Sequence, residues 1–317
     1  MAFALPREGS PFAIVPRLEA DALAAECPWL ERLVWEDGED PLARLLDRLK
    51  LEPGARLLLG EGFRTSHVLT LAAKAECRPA ADALSALRVV KDAEELRLCA
   101  EAGRHADQVV EEAADRMRPG MSERELARFI LERFEALGDH DPWAIVASGS
   151  NSALPHHMSG DRKLQDGEVV LLDLGAFTGG YGSDITRTFW LGHPPEDAER
   201  VYHIVDDARR AGIAAARPGA PAESVDRAAR AVIEAAGFGP QFLHRTGHGV
   251  GLEVHEPPYL VHGNRAPLQA GMVHSVEPGI YLPGRFGVRL EDLVVVGSEG
   301  AQVLNRAPLD PLPLKVR

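Results

Sequence analysis

The chain has 317 residues, 45% of them hydrophobic, and its 35 Lys and Arg against 48 Asp and Glu leave a formal charge of −13. That composition describes a soluble globular protein of one large or two modest domains. The acidic balance excludes the clustered basic surface that nucleic acid or an anionic membrane would require. No apolar run approaches the ~18 residues of a membrane span.

The N-terminal stretch carries Pro, Arg and Glu where a signal peptide would be apolar, so a cytoplasmic setting is expected. Residues 1–89 alternate short apolar runs at 12–15 and 56–59 with helix-like stretches at 41–49 and 66–75, which predicts a small α/β domain. Residues 90–317 form the expected second domain. Asp92 and Glu95 make a capping box that opens a long helix over 93–117, closed by Pro119 and Gly120. Ser122 and Glu125 repeat the signature and predict a helix ending near Leu137. Strands are expected at 143–147, 168–177, 182–191, 272–282 and 287–296, and helices at 196–216 and 222–236. Strands grouped apart from helices indicate an α+β architecture. Cys27, Cys77 and Cys99 are odd in number and in no CxxC spacing, as suits reduced packing thiols.

The run VVLLDLGAF sets Asp173 inside a strand otherwise fit for a core. A carboxylate there must be paired, protonated or bound to a cation. Thr178-Gly179-Gly180 reads as a tight turn, and a ribbon folded about the 178/179 boundary sets Asp173 opposite Asp184. Like charges so opposed destabilise a sheet; a cation between them reverses the sign. A second ribbon turning about Gly284 sets Glu277 opposite Glu291, with Arg289 on the face of Glu291 and with Val288 and Leu290 on the other. Between the ribbons, HRTGHGVGLEVHEPPY carries His248 and His255. Its glycines lack the context of a phosphate loop and read as positions where backbone approaches a crowded site. Four carboxylates are nearly balanced by two divalent cations and a bound hydroxide, with Arg289 close by, so two metals fit better than one. Oxygen donors beside a single imidazole favour Mn²⁺, with Co²⁺ or Zn²⁺ as substitutes.

The segments ALPHH (153–157), DLG (from 173), SDITRTF (from 183), GHGVGLEVHE (from 247), SVEPGIY (from 275) and GVRLED (from 287) follow one another across residues 88–317. In that order they resemble the pita-bread metallopeptidases, and among these the Xaa-Pro peptidases, prolidase and aminopeptidase P. The resemblance implies an α+β pita-bread (creatinase/aminopeptidase) catalytic domain preceded by a shortened α/β N-terminal domain. It implies that Asp173 is a terminal ligand of one metal, that His248 and Glu277 bind the other, and that Asp184 and Glu291 bridge the two. His156 and His255 match histidines that contact substrate and stabilise the tetrahedral intermediate, Glu277 is placed to shuttle a proton, and Arg289 matches the arginine before the last bridging glutamate.

The implied activity is hydrolysis of the Xaa-Pro bond at the N-terminus of proline-containing peptides, with aminopeptidase action favoured over dipeptidase action and a homodimer as the assembly. Two departures stand out. About fifty residues of the usual N-terminal domain have no counterpart, and HEPPYL places Tyr259 where many bacterial relatives carry an arginine. If that arginine reads a substrate carboxylate, Arg265, Arg285 and Arg289 are its candidate replacements. Methionine aminopeptidase and a catalytically inactive peptide-binding module are the alternatives. EPGIY and SDITRTF argue against the first, and the complete ligand set argues against the second.

Overall fold

A computed structural model describes residues 1–309, apart from the side chain of Asp82. Residues 310–317 of the expected second domain lie outside the described residues. The chain divides into two compact units, Met1–Leu84 and the remainder from Ser85.

The first unit contains β1 (Ala2–Ala4), β2 (Phe12–Pro16), α1 (Arg17–Glu26), β3 (Glu31–Trp35), α2 (Pro41–Leu49), β4 (Arg56–Leu59), α3 (Thr65–Ala72) and β5 (Glu76–Pro79). β2 runs parallel to β3 and antiparallel to β1, while β4 pairs in parallel with β5. One face of β2 buries Phe12 and Ile14 against Leu45 and Leu71; the other buries Ala13 and Val15 against Leu23 and Leu30. The period of two sends alternate residues to separate cores. α1 carries no N-cap side-chain hydrogen bond, so no capping signature marks its start in the sequence.

From α4 (Ala81–Arg88) the chain enters α5 (Ala93–Arg116) and α6 (Glu123–Ala136). Both capping boxes form: Asp92 Oδ1 accepts from the Glu95 amide at 2.9 Å while Glu95 Oε2 accepts from the Asp92 amide at 2.7 Å, and Ser122 and Glu125 repeat the exchange. Then come β6 (His140–Ser148), β7 (Val169–Thr178), β8 (Tyr181–Gly182), β9 (Ile185–Trp190), α7 (Ala198–Ala215), α8 (Glu223–Ala235), β10 (Gly247–Gly249), β11 (Glu256–Leu260), β12 (Val273–Val276), β13 (Gly279–Leu282), β14 (Phe286–Arg289), β15 (Asp292–Val296) and β16 (Ala301–Val303). β6, β7, β8 and β9 form one antiparallel sheet; a second has the order β11-β10-β12-β15-β16, and β13 pairs with β14 alone.

Leu172 and Leu174 of β7 pack with Val109 and Val110 of α5 and Ile130 and Phe134 of α6. Val288 and Leu290 pack with Val201 and Val205 of α7 and Ile233 of α8. Helices thus cover one face of each ribbon, and alternation directs Asp173, Arg289 and Glu291 to the opposite face.

The second ribbon keeps the expected register: Tyr281 opposes Gly287, and Val276 opposes Asp292. Its strands break at Glu277-Pro278 and Leu290-Glu291, since Pro278 has no N–H for the ladder. The first ribbon departs from expectation. Its turn is the two-residue Gly179-Gly180 link, with φ of 56° and 89°, closing on the pair Thr178 and Tyr181. Asp173 consequently opposes Thr186 and not Asp184. The slip amounts to two residues, so Asp184 keeps its side of the ribbon. The strand expected at 182–191 is interrupted at Ser183-Asp184.

Candidate metal centre

Asp173, Asp184, His248, Glu277 and Glu291 line a single cavity of about 720 Å³, together with His156, His255 and Arg289. Every expected metal ligand and every expected catalytic residue therefore borders the same space. Asp173 comes from the middle of β7, Asp184 from the break between β8 and β9, His248 from the centre of β10, and Glu277 and Glu291 from the paired breaks of the second ribbon. A break in a ladder frees a short side chain to turn inward, which is why three of the four carboxylates sit at interruptions.

Asp184, His248 and Glu291 approach most closely, with one donor atom of each lying within 4.8 Å of the others. His248 Nε2 stands 3.6 Å from Asp184 Oδ2 and 3.3 Å from Glu277 Oε1. Its Nδ1 donates to the Gly249 carbonyl at 3.2 Å, which leaves Nε2 as the ring nitrogen that faces the acids. Gly247 holds this strand against β12: a Cβ there would lie 2.2 Å from the Ser275 carbonyl oxygen. The close approach expected of these glycines is thus met by backbone.

Burial pushes Asp184 and Glu291 well above the ordinary carboxylate range, and the neighbouring acids push them further; Asp173 is raised for the same first reason. Burial also opposes charge on Glu277, but the hydrogen bond and charge of His248 outweigh it and hold Glu277 low. Asp173 Oδ1, Asp184 Oδ1 and Glu291 Oε1 are buried without a hydrogen-bond partner. Acceptors left orphaned in this way beside an imidazole nitrogen fit divalent cations, which would satisfy all three at once.

Arg289 is the buried cation of the cavity. It donates to Asp173 Oδ2, to the Tyr281 hydroxyl at 3.0 Å, to Thr186 Oγ1 at 3.1 Å and to the Pro155 carbonyl at 3.3 Å. Thr186 in turn donates to Glu291 Oε2 at 2.7 Å. Tyr281 donates to His244 Nε2 at 2.7 Å, while His244 Nδ1 donates to the Arg245 carbonyl. His255 stacks obliquely on His248 with ring centroids 4.2 Å apart. Burial, then the His248 ring, lowers its pKa to about 4, so it is a neutral N–H donor at pH 7.

Trp143, Ile145, His244, Arg245 and Val261 also line the cavity, and the motif reading singled out none of them. Arg245 lays its guanidinium 4.7 Å from the centre of the Tyr259 ring and makes no ion pair among the described residues. Of the arginines expected to stand in for the missing one, only Arg289 lines the cavity. Arg265 pairs with Glu223 and Arg285 with Asp197, each on an exposed surface. Long side chains on polar loops seek the nearest surface acid, and sequence position alone does not tell them from a cavity residue.

Residues 97–298 match the family described as metallopeptidase family M24. A probable dipeptidase PepE of Mycobacterium tuberculosis is 41% identical over 314 residues, covering 97% of this chain and 84% of its own. A Xaa-Pro dipeptidase of Pyrococcus furiosus is 40% identical over 227 residues, covering 71% of this chain and 65% of its own. The crystal structure of a prolidase from Thermococcus sibiricus superposes with a TM-score of 0.93 at 38% identity, over 98% of this chain and 86% of that one.

Proposed function

Because this chain belongs to metallopeptidase family M24, we propose that it is a metal-dependent Xaa-Pro peptidase that releases the residue preceding proline at the N-terminus of short peptides. The observation that carries the reading is the convergence of four carboxylates and one imidazole, three of their oxygens unpartnered, on one cavity. Relatives named as dipeptidases, Xaa-Pro dipeptidases and prolidases support the same substrate class, and do not favour methionine aminopeptidase or a binding module.

Asp173, Asp184, His248, Glu277 and Glu291 would hold two divalent ions. Bound there, such ions supply Lewis acidity and lower the pKa of a captured water from 15.7 to roughly 7. The chain supplies the rest. Glu277, held low in pKa and hydrogen-bonded by Ser275 Oγ at 3.3 Å, takes the proton of the attacking water and passes it to the leaving nitrogen. His255, neutral at pH 7, offers an N–H to the developing oxyanion, and His156 stands on the same cavity to do likewise. Trp143, Ile145, Val254 and Val261 give the apolar wall that a proline ring requires. An imino-acid nitrogen has no N–H to offer a binding site, so recognition rests on shape and on the reacting carbonyl.

Arg245 supports dipeptides among the substrates, because its unpaired guanidinium is matched to a free carboxylate. The reading extends to Mn²⁺ as the resident ion, on the oxygen-rich donor set; to a reducing, cytoplasmic setting, on the free thiols of Cys27, Cys77 and Cys99; and to a homodimer, on the family resemblance. None of the described helices is long and apolar enough to cross a membrane. The test is hydrolysis, with Mn²⁺ added, of Ala-Pro, Ala-Pro-Ala and Met-Ala-Ser. Cleavage of either proline peptide is expected, and cleavage of Met-Ala-Ser alone overturns the assignment.

A further inference from the structure

The loop that brings His156 to the cavity has almost no regular structure. It consists of a 3-10 turn at Gly149–Ala153 followed by irregular chain to Gly160. His156 is itself exposed and makes no hydrogen bond among the described residues. Something outside the loop must therefore fix where this side chain points.

The geometry points to Glu123 as a positioning residue for His156. Glu123 is the first residue of α6 and is fully buried. Its Oε1 accepts from the Ser148 amide and Ser148 Oγ, each at 2.8 Å, and from Asn151 Nδ2 at 2.9 Å. Its Oε2 accepts from His157 Nε2 at 2.8 Å and from the Gly160 amide at 3.2 Å. Every one of these donors belongs to residues 148–160, on both sides of His156, so a single carboxylate spans the loop from base to base.

The start of α6 adds two backbone ties, from the Glu123 amide to the Arg162 carbonyl at 3.0 Å and from the Arg124 amide to the Gly160 carbonyl at 2.9 Å. A buried carboxylate is expensive. This one is kept by five donors and by its place in the first turn of a helix. An apolar side chain would fill the volume, but it could not gather donors from four separate residues onto one point. The brace also reaches Arg289, because the Pro155 carbonyl beside His156 accepts from Arg289 Nη1. Glu123 does not line the cavity, and its side-chain hydrogen bonds all go to the loop.

The inference rests on the proposed function for its catalytic readout and on the fold alone for its structural one. Glu123→Gln keeps the shape but sets an N–H₂ against donors. Expected are a fall in kcat for Ala-Pro of about ten-fold or more, unchanged divalent-ion content, and faster amide hydrogen exchange confined to residues 149–160. In a His156→Ala background the same substitution should cost less than about two-fold, since the group it positions is already gone. Equal losses in both backgrounds, or unchanged exchange in the loop, overturn the inference. Should Glu123→Gln fail to fold, Asn151→Ala and His157→Ala, each removing one donor, are put through the same cycle. Absence of Xaa-Pro hydrolysis in the unaltered enzyme would count against the proposed function, and the exchange measurement would still decide on the brace.

Discussion

Arg289 rests its guanidinium on Asp173, joining the last strand of one ribbon to the first strand of the other inside a buried acidic cavity. The pair is buried on both sides, and loss of one partner strands the other without a counter-charge. Arg289→Met should destabilise the chelator-treated protein by about 3–5 kcal/mol, and by clearly less once divalent ions supply positive charge to Asp173. Calorimetry with chelator and with Mn²⁺ compares the two. Equal losses under both conditions would show that Asp173 does not face the ion site.

Asp184 and Glu291 have carboxyls raised well above their ordinary range, first by burial and then by neighbouring acids, Glu291 foremost for Asp184 and Glu277 for Glu291. A raised acid stabilises the fold while it holds its proton, and that stabilisation is lost as pH rises through the raised value. The chelated protein should therefore become less stable as pH rises above about 4, the ordinary carboxylate value of the unfolded chain, and added Mn²⁺ should restore it. Ion binding must also expel protons. Titration calorimetry in two buffers of different ionisation heat should show proton release near neutral pH, and a heat independent of buffer would contradict the shifts.

His274 on β12 is fully buried, with Nδ1 bonded to the Ser275 carbonyl at 2.9 Å and Nε2 unpartnered. Burial lowers its pKa to about 4. The unfolded chain binds the proton near pH 6.5 and the folded chain does not, so stability present above that value is lost as pH falls toward 4. The loss attributable to this residue is on the order of 3 kcal/mol. His274→Leu should flatten the fall in midpoint of urea unfolding between pH 6.5 and 4; an unchanged slope would assign the acid sensitivity elsewhere.

Arg245 gives a prediction about substrate length. Arg245→Ala should lower kcat/KM for Ala-Pro by roughly ten- to a hundred-fold, the worth of a charge-assisted hydrogen bond, and leave Ala-Pro amide within about two-fold. Equal losses on both peptides would mean that the guanidinium shapes the cavity without reading charge.

Much of the site was legible because polar residues in apolar strands violate the pattern around them. Asp173 stood out for that reason, and Glu277 with Glu291 stood out because Gly284 marks the bend of their ribbon, whose register the structure keeps. Asp184 was found by an arithmetic that misjudged the turn by one residue, which displaced its partner but spared its side of the sheet. Thr186 shares the parity of Asp184 and was within reach of the same reasoning.

His244 and Arg245 were not, since their neighbours carry no periodic signal and only tertiary packing brings them to the cavity. The strands β10 and β11 were hidden by their glycines and prolines, which lower strand propensity although here they permit close backbone contact. Glu123 looked like an ordinary acid of a first helical turn.

The bend at Gly179-Gly180 carries a rule for altering this protein. Because Asp173 and Asp184 lie on opposite arms of one hairpin, one inserted residue at the bend would turn the second aspartate toward the helices, whereas two would return it to the cavity. Length changes there should be tolerated in even steps only, so that a loop graft of the wrong parity would leave a folded shell with half of its acidic grip facing the wrong way.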